Sequence, residues 1–375
     1  MNESFSADFG MMPTYMGCVS TPFGHDAFHP MRWIVDSDGL LKVDSPPPLE
    51  LVYPEQHNEP GVSSLWLKHH RAFRDFILSR TSAREMLEIG GADGTLAALM
   101  TEVTSRFTNW TIIEPNPHVD PAIDVQVIKG WFPQDLPGPI DGATCIAASH
   151  VLEHALDPYV FLADCSRSLP PGGELFLTWP DMAAMASRTD LNMLNFEHLH
   201  YLPHPTVSRL LEAAGFVEQE SHRFRGHSIF IHAEKVGDPQ SAPQINENGT
   251  EDLQGLAEGY QDALRRSVQI FQAEVDGWVG RRWLFGAHIF GQFLLAGGLE
   301  ARDFDGILDN ATTKSGKRLY GTELSVSSPE CLRNTSENLI IIAAALYEEE
   351  ILDQLRNLRL SNSRVVTSLH GVHDF

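Results

Sequence analysis

Three observations predict an α/β protein built on a doubly wound parallel sheet. Between residues 85 and 235, short apolar runs alternate with stretches of helical periodicity, as strand–helix–strand units require. A strand-like run ending at Glu88 enters a glycine-rich turn and then a helical segment. A second strand–glycine turn–helix passage near residue 285 predicts a second, smaller unit of the same kind.

Taken in order, residues 1–61 read as a loop-rich segment, with "SPPPLELVYPEQHNEPG" as the densest proline stretch. "VSSLWLKHHRAFRDFILSR" (62–80) spaces its apolar residues for a helix. Strands are expected at "EMLEI", "NWTIIE", "GATCIAAS", "GELFLTWP" and "HSIFIHAE", with helices at "TLAALMTEVTSRF", "PYVFLADCSRSL" and "PTVSRLLEAAGF". The polar stretch "VGDPQSAPQINENGT" reads as a linker. This sets a first α/β unit at 62–237, the linker at 238–250 and a second unit at 251–375. The second unit opens with a long helix, "EDLQGLAEGYQDALRRSVQIFQAEVDGWV". It continues through "RRWLFGAHIFGQFLLAGGL", "FDGILDN" and "LIIIAAAL" to a final helix, "EEEILDQLRNLRL".

The 375 residues are enough for about two or three domains, and the net charge of −23 disfavours nucleic acid as a partner. A small anionic substrate stays open, because a few local Arg or Lys suffice. Cys18, Cys145, Cys165 and Cys331 form no CxxC pair, so neither a disulfide framework nor a cysteine zinc site is expected, and no metal is predicted. No apolar run is long enough to span a membrane, and "MNESFSADFGMMPTYMG" lacks the basic-then-apolar form of a secretory signal, so a cytoplasmic protein is expected. Oligomeric state is not legible.

The turn "LEIGGADGTLA" departs from the G-x-G-x-x-G of a dinucleotide site. Glu88 stands directly before it, where a carboxylate repels a pyrophosphate and suits a cation or an amine. S-adenosylmethionine (SAM) carries a sulfonium and an ammonium and no phosphate. Glu114 ends the next strand 26 positions later, placed to accept from both ribose hydroxyls. Since NAD folds carry the same acid, Glu88 is the discriminating residue.

With these features the sequence resembles class I SAM-dependent methyltransferases. "ASHVLEHALDP" (148–158) is similar to their fourth-strand segment and "LPPGGELFLTWP" (169–180) to their fifth-strand hairpin. The resemblance implies SAM as cofactor, held by Glu88, Gly90, Gly91, Asp93, Gly94, Glu114, Pro115 and His150. "NMLNFEHLHYLPHPTVSRLLEAAGF" further resembles the Glu-His segment of nucleotide-sugar C-methyltransferases, which act on 4-keto deoxysugars. That implies His198 as general base for the proton beside the ketone, with Glu197 orienting it and His154 facing the methyl side. Asn195 stands where that family has a tyrosine, so O- or N-methylation of a related substrate is the rival reading, and a non-catalytic SAM- or sugar-nucleotide-binding protein is another. The "FRGHSIF" turn implies His227 at the substrate. The family's cysteine-rich zinc module is lost or replaced here.

The stretch from Trp283 to Glu330 resembles the Rossmann-like C-terminal domain of the same enzymes. A helix N-terminus after Gly286 suits a phosphate, and Asp309 and Asn310 sit at a strand end, where such sheets bind ligands. Lys314, Lys317 and Arg318 supply cations. The implied substrate set is therefore Asn195, His227, Gly286, His288, Asp309, Asn310, Lys314 and Arg318, on a small nucleotide-sugar partner.

Overall fold

The computed structural model describes residues 6–52, 64–137, 144–188, 190–243, 247–368 and 370–375. The chain opens with β1 (Ser6–Pro13), β2 (Cys18–Val19), β3 (Phe28–Val35) and β4 (Leu41–Val43), a single turn α1 (Leu49–Val52) and helix α2 (Ser64–Leu78). The first α/β unit follows as β5 (Glu85–Ile89), α3 (Thr95–Val103), β6 (Asn109–Glu114), β7 (Gln126–Lys129), β8 (Cys145–Ser149) and α4 (Pro158–Ser168). It continues with β9 (Glu174–Pro180), α5 (Met182–Ser187), β10 (His200–Tyr201), α6 (His204–Ala213), β11 (Phe216–Phe224) and β12 (Ser228–Lys235). Helix α7 (Glu247–Gly277) leads to β13 (Arg281–Phe285), α8 (Ile289–Ala296), β14 (Gly306–Leu308), β15 (Arg318–Leu319) and β16 (Val326–Ser327). The chain ends in β17 (Asn338–Ile342), α9 (Glu348–Asn357), β18 (Arg364–Thr367) and β19 (Gly371–Asp374).

The first unit is one seven-stranded sheet in the order β11-β12-β9-β8-β5-β6-β7. Strands β5 to β9 pair in parallel, and β12 runs antiparallel between β9 and β11. The order reverses between β5 and β8, so the loops after these two strands diverge and leave a crevice at the carboxyl ends. Both faces of β5 are covered. Leu87 and Ile89 pack with Leu162 and Leu210, while Met86 packs with Phe73, Leu96 and Met100 on the other face. A strand covered on both sides reads as a continuous apolar run, which is why "EMLEI" was legible.

The second unit repeats the plan in six strands, β16-β14-β13-β17-β18-β19. All are parallel except β19, and the order reverses between β13 and β17. Leu346 and Tyr347, just beyond β17, pack against the Phe73–Phe230 cluster of the first unit, so the carboxyl end of the second sheet closes on the first.

Residues 6–43 differ from the expected loop-rich segment. β1, β3 and β4 form an antiparallel sheet that β10 of the first unit completes. Its core is shared: Met12, Trp33, Tyr201, Tyr260, Phe290 and Phe293 belong to one buried cluster. Trp33 lies on Tyr201 with ring centroids 3.8 Å apart. β2 pairs with β15 of the second unit, and Asp26 beside it grips Arg318. Helix α7 begins at Glu247, inside the stretch expected as linker; residues 244–246 of that linker lie outside the described residues.

Candidate active site

At the first crevice the loop after β5 turns sharply. Gly90 has φ of +74°, and a Cβ there would stand 2.5 Å from Val151 Cγ2, so only glycine lets the loops after β5 and β8 approach. Gly91 passes directly over Glu88, whose carboxyl carbon would lie 3.1 Å from an added Cβ. Gly94 caps α3, and Asp93 Oδ1 accepts from Thr95 N at 3.0 Å and from its hydroxyl at 2.6 Å, fixing the start of the helix.

Glu114 is held by backbone. Its Oε2 accepts from Ala92 N at 3.2 Å and its Oε1 from Asn116 N at 2.9 Å, which leaves each oxygen a further lone pair for a vicinal diol. Pro115 follows it, partly buried.

Glu88 sits beneath the turn rather than in the open crevice. It is buried and accepts from Trp110 Nε1 at 2.8 Å. Burial, with the Trp110 bond working against it and Asp93 and Glu114 adding to it, pushes its carboxyl up to about 8. A folded value above the ordinary 4.5 means the fold holds this proton at neutral pH. The associated stability is full below about pH 4.5 and is lost as pH rises through about 8. A cation arriving at the turn favours the ionised form. Cofactor binding at pH 7 is therefore expected to release protons, up to one per site. Titration calorimetry in buffers of different ionisation enthalpy measures that number. Release equal in wild type and Glu88→Gln would remove the assignment.

A group of histidines lines the other side of the crevice. His150, at a left-handed φ of +55°, follows β8; its Nδ1 lies 3.0 Å from Glu153 Oε1 and its Nε2 2.9 Å from Ser228 Oγ. His227 shares the same hydroxyl at 2.6 Å. Trp66 and His69 of α2 pack on both rings. Burial, reinforced by the charge of His150, pushes His227 down to about 3 and holds His69 well below the usual histidine range, so both are neutral.

His154 and His198 stand together, ring centroids 5.0 Å apart. His154 Nδ1 donates to the Glu197 carbonyl at 2.7 Å. His198 N donates to Asn195 Oδ1 at 2.7 Å, and its Nδ1 lies 3.1 Å from Asn195 Nδ2 and 3.3 Å from the Met193 carbonyl. Asn195, the residue that departs from the family pattern, thus holds both the backbone and the ring edge of His198. Burial pushes His198 down to about 4, with nearby His154 in the same direction and the acids Glu153 and Glu197 opposing. The ring is neutral at pH 7 and a weaker base than an ordinary histidine.

Sequence reasoning missed Glu153. Its side chain is 1% exposed in a region of three histidines. Burial works to raise its carboxyl, but His150, His154 and His198 hold it down at about 2. Its place in "LEH" was the available signal: a 3-10 turn, Leu152–His154, directly after β8 buries the middle residue.

The second crevice repeats one feature of the first. Asp309, after β14, accepts from Ala287 N at 2.9 Å and from Ala311 N at 2.8 Å. The Ala92–Glu114 and Ala287–Asp309 bonds each span 22 residues, from a glycine turn to an acid at the end of the next strand. Gly286 forms that turn and His288 caps α8, exposed. Two of the three expected cations, Lys314 and Arg318, are committed internally. Lys314 pairs with Asp309 at 3.2 Å, and Asn310 exchanges amide bonds with Gln354 at 2.8 and 2.9 Å. Arg318 is turned away from this role, since both its terminal nitrogens bind Asp26 at 2.6 Å.

A parallel sheet with an antiparallel strand second from its edge, a glycine turn after its first strand and an acid after its second together define a class I SAM-dependent methyltransferase fold. Comparison agrees: residues 66–220 match the family described as "Methyltransferase domain". The chain is 28% identical over 174 residues to a probable SAM-dependent methyltransferase of Mycolicibacterium smegmatis, covering 45% of this chain and 67% of that protein. A probable SAM-dependent methyltransferase of Mycobacterium tuberculosis is 24% identical over 187 residues, covering 49% and 67%. Among solved structures, a Burkholderia thailandensis 1,6-didemethyltoxoflavin N1-methyltransferase is 17% identical over 53% of this chain and 95% of its own, with a TM-score of 0.38. Residues 66–220 are a methyltransferase domain, and the protein is an enzyme that uses SAM. Among the described residues no helix is long and apolar enough to cross a membrane.

Proposed function

We propose that this enzyme methylates a small nucleotide-linked keto sugar, with SAM in the first crevice and the nucleotide in the second. The observation that carries the reading is the repeated acid. Asp309 is held by two backbone N–H groups in the same way as Glu114, and such a carboxylate suits the two hydroxyls of a ribose. One ribose belongs to SAM; the second calls for a nucleotide. Gly90, Gly91, Asp93, Gly94, Glu114, Pro115 and His150 are the proposed cofactor residues, with buried Glu88 acting through the turn. Gly286, His288, Asp309, Asn310 and Lys314 are proposed for the nucleotide, and Asn195 and His227 for the sugar.

In C-methylation the carbon next to the ketone loses its proton to His198. The enolate then attacks the SAM methyl carbon, and the C–S bond breaks to leave S-adenosylhomocysteine. The low basicity of His198 favours a second reading, O- or N-methylation, in which the acceptor needs chiefly to be positioned. Heavy water separates the two. With S-adenosylhomocysteine bound, a C-methylating enzyme exchanges the ring proton for deuterium. His198→Ala is expected to abolish that exchange and slow turnover by about 10²–10⁴ while SAM affinity holds. Methyl transfer by the wild type with no carbon-bound exchange selects the O- or N-methyl reading.

A further inference from the structure

The fold brings together, from two distant segments, a donor set that the reading above leaves unexplained. Glu153 and His154 lie on the turn after β8, and His198 lies on the loop before β10. One ligand atom of each falls within 4.8 Å of the others. We propose that Glu153, His154 and His198 form a divalent-metal site of the zinc or manganese class at the acceptor side of the methyl-transfer crevice.

The carboxylate is the first support. Glu153 is 1% exposed; its Oε1 faces His150 Nδ1 at 3.0 Å, and its Oε2 makes no hydrogen bond among the described residues. Buried carboxylate oxygens in that condition are costly unless something cationic meets them. The histidines are the second. A carbonyl oxygen only accepts, so the 2.7 Å bond from His154 to Glu197 O puts the proton on Nδ1 and leaves the Nε2 lone pair for a ligand. His198 is held through its own Nδ1, by Met193 O and Asn195, and no partner of its Nε2 is found among the described residues. A backbone carbonyl on the outer nitrogen is the usual support of a metal-bound imidazole.

Two imidazoles and a carboxylate suit Zn²⁺, and also Mn²⁺ or Co²⁺, with at least one position open. Tetrahedral ligands about 2.1 Å from an ion sit about 3.4 Å apart, so small side-chain rotations close the present spacing. The expectation of no metal rested on the scattered cysteines, and this set uses none of them. An acceptor hydroxyl on the open position would lose its proton to solvent water more readily. A hydroxyl acceptor that has lost that proton then attacks the SAM methyl through its oxygen as the C–S bond breaks. His198 serves here as a ligand, in place of the base role above. This chemical role rests on the proposed methyl-acceptor reading; the binding of metal does not.

The test is titration of the chelator-stripped full-length protein with Zn²⁺ alone and with Co²⁺ alone, with SAM affinity measured in parallel. One ion per chain is expected, with a Co²⁺ visible spectrum typical of nitrogen and oxygen ligands. Glu153→Gln and His198→Ala should each weaken the ion by at least about tenfold to a hundredfold, while still binding SAM. The wild-type stoichiometry and spectrum decide the matter even if a variant fails to fold. Absence of stoichiometric metal on protein that binds SAM overturns the proposal, as does metal affinity unchanged in both variants. Metal bound without SAM would instead count against the cofactor assignment and leave this site standing.

Discussion

Replacing Glu114 by alanine is expected to weaken SAM binding by about two orders of magnitude, and Asp309→Ala to weaken nucleotide-sugar binding by a similar factor, with no crossover. Each carboxylate is preset by two backbone N–H groups, at 2.9 and 3.2 Å for Glu114 and at 2.8 and 2.9 Å for Asp309. Little ordering cost then remains when two hydroxyls arrive. Hydrogen bonds to a charged group contribute about 1.5–3 kcal/mol each, so losing a pair costs about 3 kcal/mol or more, roughly a hundredfold in Kd. Calorimetry with S-adenosylhomocysteine and with uridine or thymidine diphosphate sugars measures both arms. Unchanged nucleotide-sugar affinity in Asp309→Ala would take the nucleotide out of the second crevice. The first arm would keep its meaning.

The second large effect concerns stability. Asp26 is 1% exposed and Arg318 11%. Asp26 accepts from both guanidinium ends at 2.6 Å and from Gly321 N at 2.7 Å. Asp26→Ala leaves a buried guanidinium without its counter-charge, which typically costs about 3–5 kcal/mol. Denaturant unfolding should show a lower midpoint with an unchanged slope. The double change Asp26→Leu with Arg318→Met should recover most of the loss, because it removes both desolvated charges. A single-variant loss below about 1 kcal/mol would mean the pair is open to water.

What could be read from the sequence follows from how each element is covered. β5, β6, β8 and β9 carry near-continuous buried residues and stood out as apolar runs. β7 is an edge strand with mostly exposed residues, and β11 reads "FVEQESHRF" with one buried residue at each end, so neither shows the apolar run or clean alternation that marks a strand. The opening strands were hidden by their Met, Gly and Pro content and by partners far along the chain. At the site, the glycine turn and Glu114 were legible because local chemistry sets them. Glu153 beside His198, and Arg318 against Asp26, were not, because only the fold brings them together. Glu88 had the right position but a different setting, under the turn and bonded to Trp110.

The pairing of β2 with β15 and of β4 with β10 also has a consequence for how the chain is made. Cys18 and Val19 leave the ribosome long before Arg318 and Leu319, and Leu41 long before Tyr201. At about 5–20 residues per second, the roughly 300 residues between β2 and β15 take about 15–60 s to synthesise. The seven-stranded sheet, complete at Lys235, has all its strands well before that. Until α7 and α8 are made, the second of them ending at Ala296, Trp33, Met12 and Phe9 lack the helices that cover them. β1, β3 and β4 are therefore made well before the helices that seal them. Nascent chains halted before α7 begins at Glu247 should expose them to protease and to holding chaperones, and chains halted after the second sheet should not.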